Sequence, residues 1–168
     1  ERTGGGFVIP ANPYVSPSDW SDLRLDLVPV DLLVVDCPPS LPWALVRRLI
    51  AQADFVVAPI QPEAMVVQVV PDLVQQVVEA GRSEMLQAGT FKLLMNAVQK
   101  NAGHRAWESV LRNQFPELLA QTVWPRAAGF TTASEEFGNY SRKAKPAKLA
   151  AELWEEIFAN TKTKGAAA

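Results

Sequence analysis

The chain has few cysteines and no long apolar runs. Cys37 is the only cysteine among 168 residues, which excludes an internal disulfide or a cysteine-rich zinc site and is typical of a reducing compartment. The longest apolar stretches, such as residues 32–35 and 65–70, are far too short to span a bilayer. No secretory signal is recognisable. These features predict a cytoplasmic protein that does not enter a membrane.

Lysine is absent from the first half of the chain, and the chain has no lysine-containing phosphate-binding loop. The first lysine is Lys92, and no segment reads G-x-x-x-x-G-K-[ST]. The glycines at positions 4–6 are not followed by the lysine and hydroxyl residue that such a loop needs. The formal net charge of −2 gives no general attraction to nucleic acid, so DNA binding would require a local basic patch.

Apolar segments of strand type alternate with amphipathic segments of helix type. The predicted strands are residues 7–10, 32–35, 55–60, 91–96 and 119–124, and the predicted helices are about 43–52, 63–80, 102–115 and 146–160. We expect the helix over 63–80 to break or kink at Pro71 and to stop at Gly81. The alternation predicts an α/β fold with a mostly parallel sheet covered by helices on both faces. We expect one domain over 1–168, with 162–168 as a disordered tail.

Asp36 follows the apolar run 32–35 directly. In parallel sheets, ligands lie beyond the carboxyl ends of the strands, and a carboxylate at the tip of a buried strand is costly unless a cation meets it. In nucleoside triphosphatases that cation is Mg²⁺, commonly reached through a water. The alternative is an aspartate in an ordinary strand-to-helix turn, with no ligand.

The run Asp36-Cys37-Pro38-Pro39-Ser40 resembles the Walker B and switch II segment of the ParA/MinD family of partition ATPases. One departure is Pro42, where that family commonly has glycine. Further segments resemble the family in the same order along the chain: 7–12, 53–63, 93–96, 123–126 and 133–138, followed by the last helix. The resemblance implies a P-loop NTPase-like fold that is incomplete at its N-terminus, because the family places its phosphate loop upstream of residue 7.

The resemblance also implies a site and partners. Asp36 would hold the hydration shell of Mg²⁺, and ATP would lie with its base near Asn96, Pro125 and Arg126. A basic cluster would bind DNA non-specifically through its phosphates: Arg142, Lys143, Lys145 and Lys148. The implied protein is an ATP-dependent homodimer on the nucleoid, without a membrane, whose hydrolysis a partition-type activator protein stimulates. The other interpretation of the basic cluster is a solvated helix start.

Two other functions stay open. Without a phosphate loop this chain is expected not to hydrolyse ATP alone, so a non-hydrolysing ParA-like scaffold or partner-binding protein is the main alternative. A relative of the nitrogenase iron protein is disfavoured, because its cluster is bridged by two cysteines per subunit and only Cys37 is present.

Overall fold

The computed structural model describes residues 24–25, 28–37, 42–126 and 145–159, without the side chains of 145, 146 and 159. The predicted strand 7–10 and the predicted tail 162–168 lie outside these residues. The elements follow in chain order: α1 (Trp43–Gln52), β1 (Val56–Ile60), α2 (Ala64–Glu79), α3 (Glu84–Ala88), β2 (Phe91–Val98), α4 (Ala102–Gln114), β3 (Leu119–Pro125) and α5 (Lys145–Ala159).

The three strands form one parallel sheet in the order β1-β2-β3. The pairing of β1 with β2 runs from Val56 opposite Phe91 to Ile60 opposite Met95. Both crossovers step in the same direction across the sheet, and right-handed connections then place α2 and α4 on one face. The predicted α/β class with a parallel sheet flanked by helices is confirmed.

The main core lies between the central strand and the helices of that face. Phe91, Leu93 and Met95 alternate along β2 and are almost fully buried, as expected of a strand whose successive side chains point to opposite faces. They pack with buried residues of the surrounding helices: Ile50, Val70, Val77, Met85 and Leu111. Leu94, on the other side of β2, and Ile157 of α5 are also buried but do not belong to this cluster. Helix packing therefore extends beyond one face of the sheet.

Helix α2 runs through Pro71 without the predicted break. Its apolar side, with Val70 and Val77 fully buried, holds the backbone helical on both sides of the proline, although the ring removes one N–H donor. The predicted stop is confirmed, because the helix ends at Glu79 and Gly81 then adopts a left-handed φ of 75°. The short helix α3 was not predicted.

Two arginines hold α1 in place. Arg47 Nη1 donates to Gln76 Oε1 at 2.7 Å and to Glu79 Oε2 at 3.0 Å, which joins α1 to α2. Arg82 Nη1 donates to the backbone oxygens of Ala53 at 2.8 Å and Ala51 at 3.0 Å, just where α1 ends. A guanidinium at this position satisfies carbonyls that have no helical partner and complements the helix dipole. Helix α1 is therefore fixed beside α2.

The predicted strand over 32–35 is wrong. Residues 32–37 form no strand, and the four apolar side chains are exposed by 50, 37, 78 and 42% in chain order. Among the described residues, no backbone hydrogen bond joins this segment to another part of the chain. A strand is stable only when a neighbouring strand takes up its N–H and C=O groups. The sequence pattern was present, but no described neighbour pairs with it.

Candidate functional site

The carboxyl edge of the sheet brings together three of the predicted site residues. Asn96 lies near the end of β2, Pro125 is the last residue of β3, and Arg126 follows it. The Arg126 N–H donates to the Val98 oxygen at 2.9 Å, which ties the two strand ends to each other. Since parallel strands end at the same edge, Val98 becomes a neighbour of Pro125 and Arg126, although they are distant in sequence.

A bulge in β2 shapes this edge. Met95 pairs with Val123 and Val98 with Pro125, so two residues of β2 stand opposite one residue of β3. Ala97 has a φ of 54°, a left-handed conformation that is uncommon outside glycine. Its N–H, which the bulge removes from the ladder, donates to the Asn96 Oδ1 at 2.8 Å. Alanine has no preference for this conformation, so no sequence signal could have predicted the bulge.

The donors at this edge suit a ligand that offers hydrogen-bond acceptors. Asn96 is half-buried, and its Nδ2 has no hydrogen-bond partner within the described part of the chain. Arg126 is exposed and carries a permanent positive charge. Amide and guanidinium donors can bind ring nitrogens or carbonyl oxygens of a base, or an anionic group.

The loop after β2 is held by its own hydrogen bonds. The Gln99 N–H donates to the His104 Nδ1 at 3.2 Å, and the His104 N–H donates to the Asn101 Oδ1 at 2.8 Å. Asn101 is thus the N-cap of α4. Through these two bonds His104 fastens the loop to the start of α4. Asparagine directly before an amphipathic segment is the signal that could have predicted the cap.

Asp36 does not lie at the end of a strand. It is exposed in segment 32–37, and within the described residues no hydrogen bond joins it to Asn96. Over the described ranges, no group of three or more His, Cys, Asp or Glu residues could hold a metal ion. Mg²⁺ is usually held by one or two carboxylates together with phosphate oxygens and waters. A lone carboxylate without a phosphate loop is not the set of ligands that Mg–ATP requires.

Cys37, beside Asp36, has a raised pKa. Partial burial of the thiol raises the pKa most, and the neighbouring Asp36 carboxylate raises it further, because both disfavour the thiolate. The residue is nevertheless exposed at the surface. The thiol is therefore accessible to reagents, but less of it is present as the reactive anion near neutral pH.

We expect Cys37 to react with a disulfide reagent more slowly in the folded chain than in urea at the same mildly alkaline pH. Asp36→Asn should raise the folded-state rate, because it removes the charge that opposes ionisation, and Asp31→Asn is the matched control. Stopped-flow rates measured against pH report the thiolate fraction directly. Equal rates in the folded and the urea-unfolded chain would contradict the raised pKa.

The structure describes little of the predicted DNA-binding cluster. Arg142 and Lys143 lie outside the described residues, and Lys145 begins α5 without a described side chain. Lys148 is exposed on α5. DNA binding by the four residues stays a prediction.

Sequence reasoning missed the contact that fastens α5 to the sheet. The Glu156 carboxylate accepts hydrogen bonds from the Gln121 N–H at 2.6 Å, the Thr122 N–H at 2.9 Å and the Thr122 hydroxyl at 2.9 Å. Phe158, two residues on, packs against Phe55 with ring centroids 4.4 Å apart and the rings tilted by 51°. The partners lie more than 30 residues apart in sequence, so no local pattern indicates them.

Comparison with known proteins does not assign the chain to a family. No protein-family model, curated protein or solved structure matches the chain. Within the described ranges, none of the helices has both the length and the apolar character needed to cross a membrane.

Proposed function

We propose that this chain is the C-terminal portion of a ParA/MinD-type ATPase, with a P-loop NTPase-like fold, that partitions DNA or positions cargo. The observation that supports this proposal is the meeting of Asn96, Pro125 and Arg126 at the carboxyl edge of a parallel sheet. The family resemblance implies that the base of ATP lies beside these residues. The amide and guanidinium donors at this edge are chemically suited to a base.

In this proposal the chain supplies the base side of the site, and a longer form supplies the phosphate side. The phosphate loop would precede the predicted strand 7–10, and Asp36 would reach the hydration shell of Mg²⁺ once its segment pairs with that missing part. ATP would then join two copies, which would bind DNA through the basic cluster until a partition-type activator stimulates hydrolysis. The DNA, activator and nucleoid components rest on the resemblance.

A non-hydrolysing scaffold is the second candidate. It is favoured by the position of Asp36, which is exposed and belongs to no strand. Such a protein would keep the sheet and its partner-binding surfaces but would bind no nucleotide.

The proposal predicts no magnesium-dependent ATP hydrolysis by the 168-residue chain, because no lysine-bearing loop is present to stabilise the transferred phosphoryl group. Fusing a ParA-type N-terminal segment with its G-x-x-x-x-G-K-[ST] loop should produce turnover, and Asp36→Ala should abolish it. The measurement is phosphate release with and without Mg²⁺. Turnover by the chain alone would contradict the proposal, and an inactive but folded fusion would favour the scaffold.

Asn96→Ala in the same fusion tests the base site separately. It should weaken ATP binding by roughly tenfold, since a hydrogen bond to the base is lost, and leave binding of inorganic triphosphate unchanged. Asn113→Ala, at an exposed position on α4, is the matched control. Equal losses for both ligands would show that Asn96 does not recognise a base.

A further inference from the structure

The outer edge of β1 is open within the described part of the chain. The Val56 N–H donates to the Thr90 oxygen at 2.9 Å, and in a parallel pair the bonding groups of alternate residues point to the same side. Val57 and Pro59 therefore direct their backbone groups away from β2. Their outward groups are the Val57 N–H and C=O and the Pro59 C=O, since proline has no N–H. No described strand pairs with this edge.

Helix α1 leaves room for additional strands beside this edge. Helices pack about 8–10 Å apart, whereas strands in a sheet are about 4.8 Å apart. One helix therefore covers about two strands. Helix α2 covers the sheet through Val70 and Val77, and α1 is fixed beside it by Arg47 and Arg82. We expect α1 to extend over a space beyond β1 in which the described residues place no strand.

The same chain carries a segment suited to that edge. Residues 32–35 are four consecutive branched apolar residues, a composition typical of a strand covered on both faces. Val34 is 78% exposed, and no backbone hydrogen bond within the described residues holds the segment. An open sheet edge and an unpaired apolar segment both favour pairing between chains.

We propose that two copies of this chain exchange residues 32–35, so that each segment adds as a strand to the outer edge of β1 in the other copy. Within the described residues each copy carries one open edge and one unpaired segment, so two copies complement each other. In a two-fold symmetric exchange, the edge of β1 and residues 32–35 of both copies gain backbone hydrogen bonds. The second copy is favoured over the segment's own edge because, with α1 fixed in place, residues 32–35 are exposed and no described backbone group of the same chain pairs with them. The exchange needs no nucleotide, and it concerns the 168-residue chain without the upstream part with which the proposed ATPase would pair this segment.

Light scattering of the chain without nucleotide, over a wide range of concentrations, tests the exchange. We expect a monomer–dimer equilibrium that ATP does not change. Val34→Lys should raise the dimer dissociation constant at least roughly tenfold, because docking would bury an unpaired charge. Val78→Lys is the matched control, since Val78 is exposed by 44% on α2 and should leave the dimer intact. Circular dichroism establishes that both variants remain folded, which the exposure of both positions favours.

Amide hydrogen exchange at Val57 shows whether the edge is covered. Its N–H should exchange slowly in the dimer and fast in Val34→Lys. A monomer with a fast Val57 amide at every concentration would overturn the proposal. So would a monomer with a slow Val57 amide, because the edge would then be covered within one chain. If Val34→Lys leaves the dimer intact, the dimer contact does not involve residues 32–35, and the proposal is overturned as well.

Discussion

Replacing Phe91 with alanine should lower the free energy of unfolding by about 3–5 kcal/mol. Phe91 is the first residue of the central strand, and only 1% of its surface is exposed. It belongs to the cluster that joins β2 to the helices on one face of the sheet. The substitution removes a large apolar group and leaves a cavity that a strand paired on both sides cannot collapse to fill.

Urea unfolding followed by circular dichroism measures this loss. Phe91→Leu should cost clearly less than Phe91→Ala, because most of the volume remains. Phe115→Ala is the comparison outside the centre of the core, since Phe115 is partly buried at the end of α4. A loss below about 1 kcal/mol for Phe91→Ala would show that the site repacks, contrary to the close packing expected of a core.

Replacing Glu156 with alanine should lower the free energy of unfolding by about 1–3 kcal/mol. The carboxylate accepts three hydrogen bonds from Gln121 and Thr122 at distances from 2.6 to 2.9 Å. Two of the donors are backbone N–H groups of β3. Thr122 is buried whereas Gln121 is exposed, so water can replace only part of what is lost.

Thermal unfolding of three variants distinguishes the contribution of the carboxylate to stability from that of the helix. The variants are Glu156→Ala, Glu156→Gln and Glu155→Ala. Glu156→Gln keeps one acceptor oxygen and should fall between Glu156→Ala and the unchanged chain. Glu155 is exposed on α5, and Glu155→Ala should have little effect. Equal stabilities of all three variants would show that the contact with β3 contributes nothing to folding.

Local sequence patterns were sufficient to predict the position and type of most elements of the fold. The helix predicted at 43–52 is observed as α1 (Trp43–Gln52), and the strand predicted at 91–96 is observed as β2 (Phe91–Val98). Hydrophobic periodicity locates such elements because each one buries a face of its own. The strand ends that carry Asn96 and Pro125 lie at one edge because the two strands are parallel, whereas a role of these residues in binding a base is implied only by the family resemblance.

The sequence by itself determined the α/β class, the order of the helices and strands from α1 to α5 apart from α3, and the absence of a phosphate loop of the G-x-x-x-x-G-K-[ST] type. Only the tertiary structure decided which apolar runs became strands. Residues 32–35 and β1 are both short runs of apolar residues, yet β1 pairs with β2 and residues 32–35 pair with nothing described. The Ala97 bulge and the Glu156 contact were likewise decided by residues distant in sequence. Strand pairing, bulges and such contacts depend on hydrogen bonds between separate segments, and no local pattern specifies those partners.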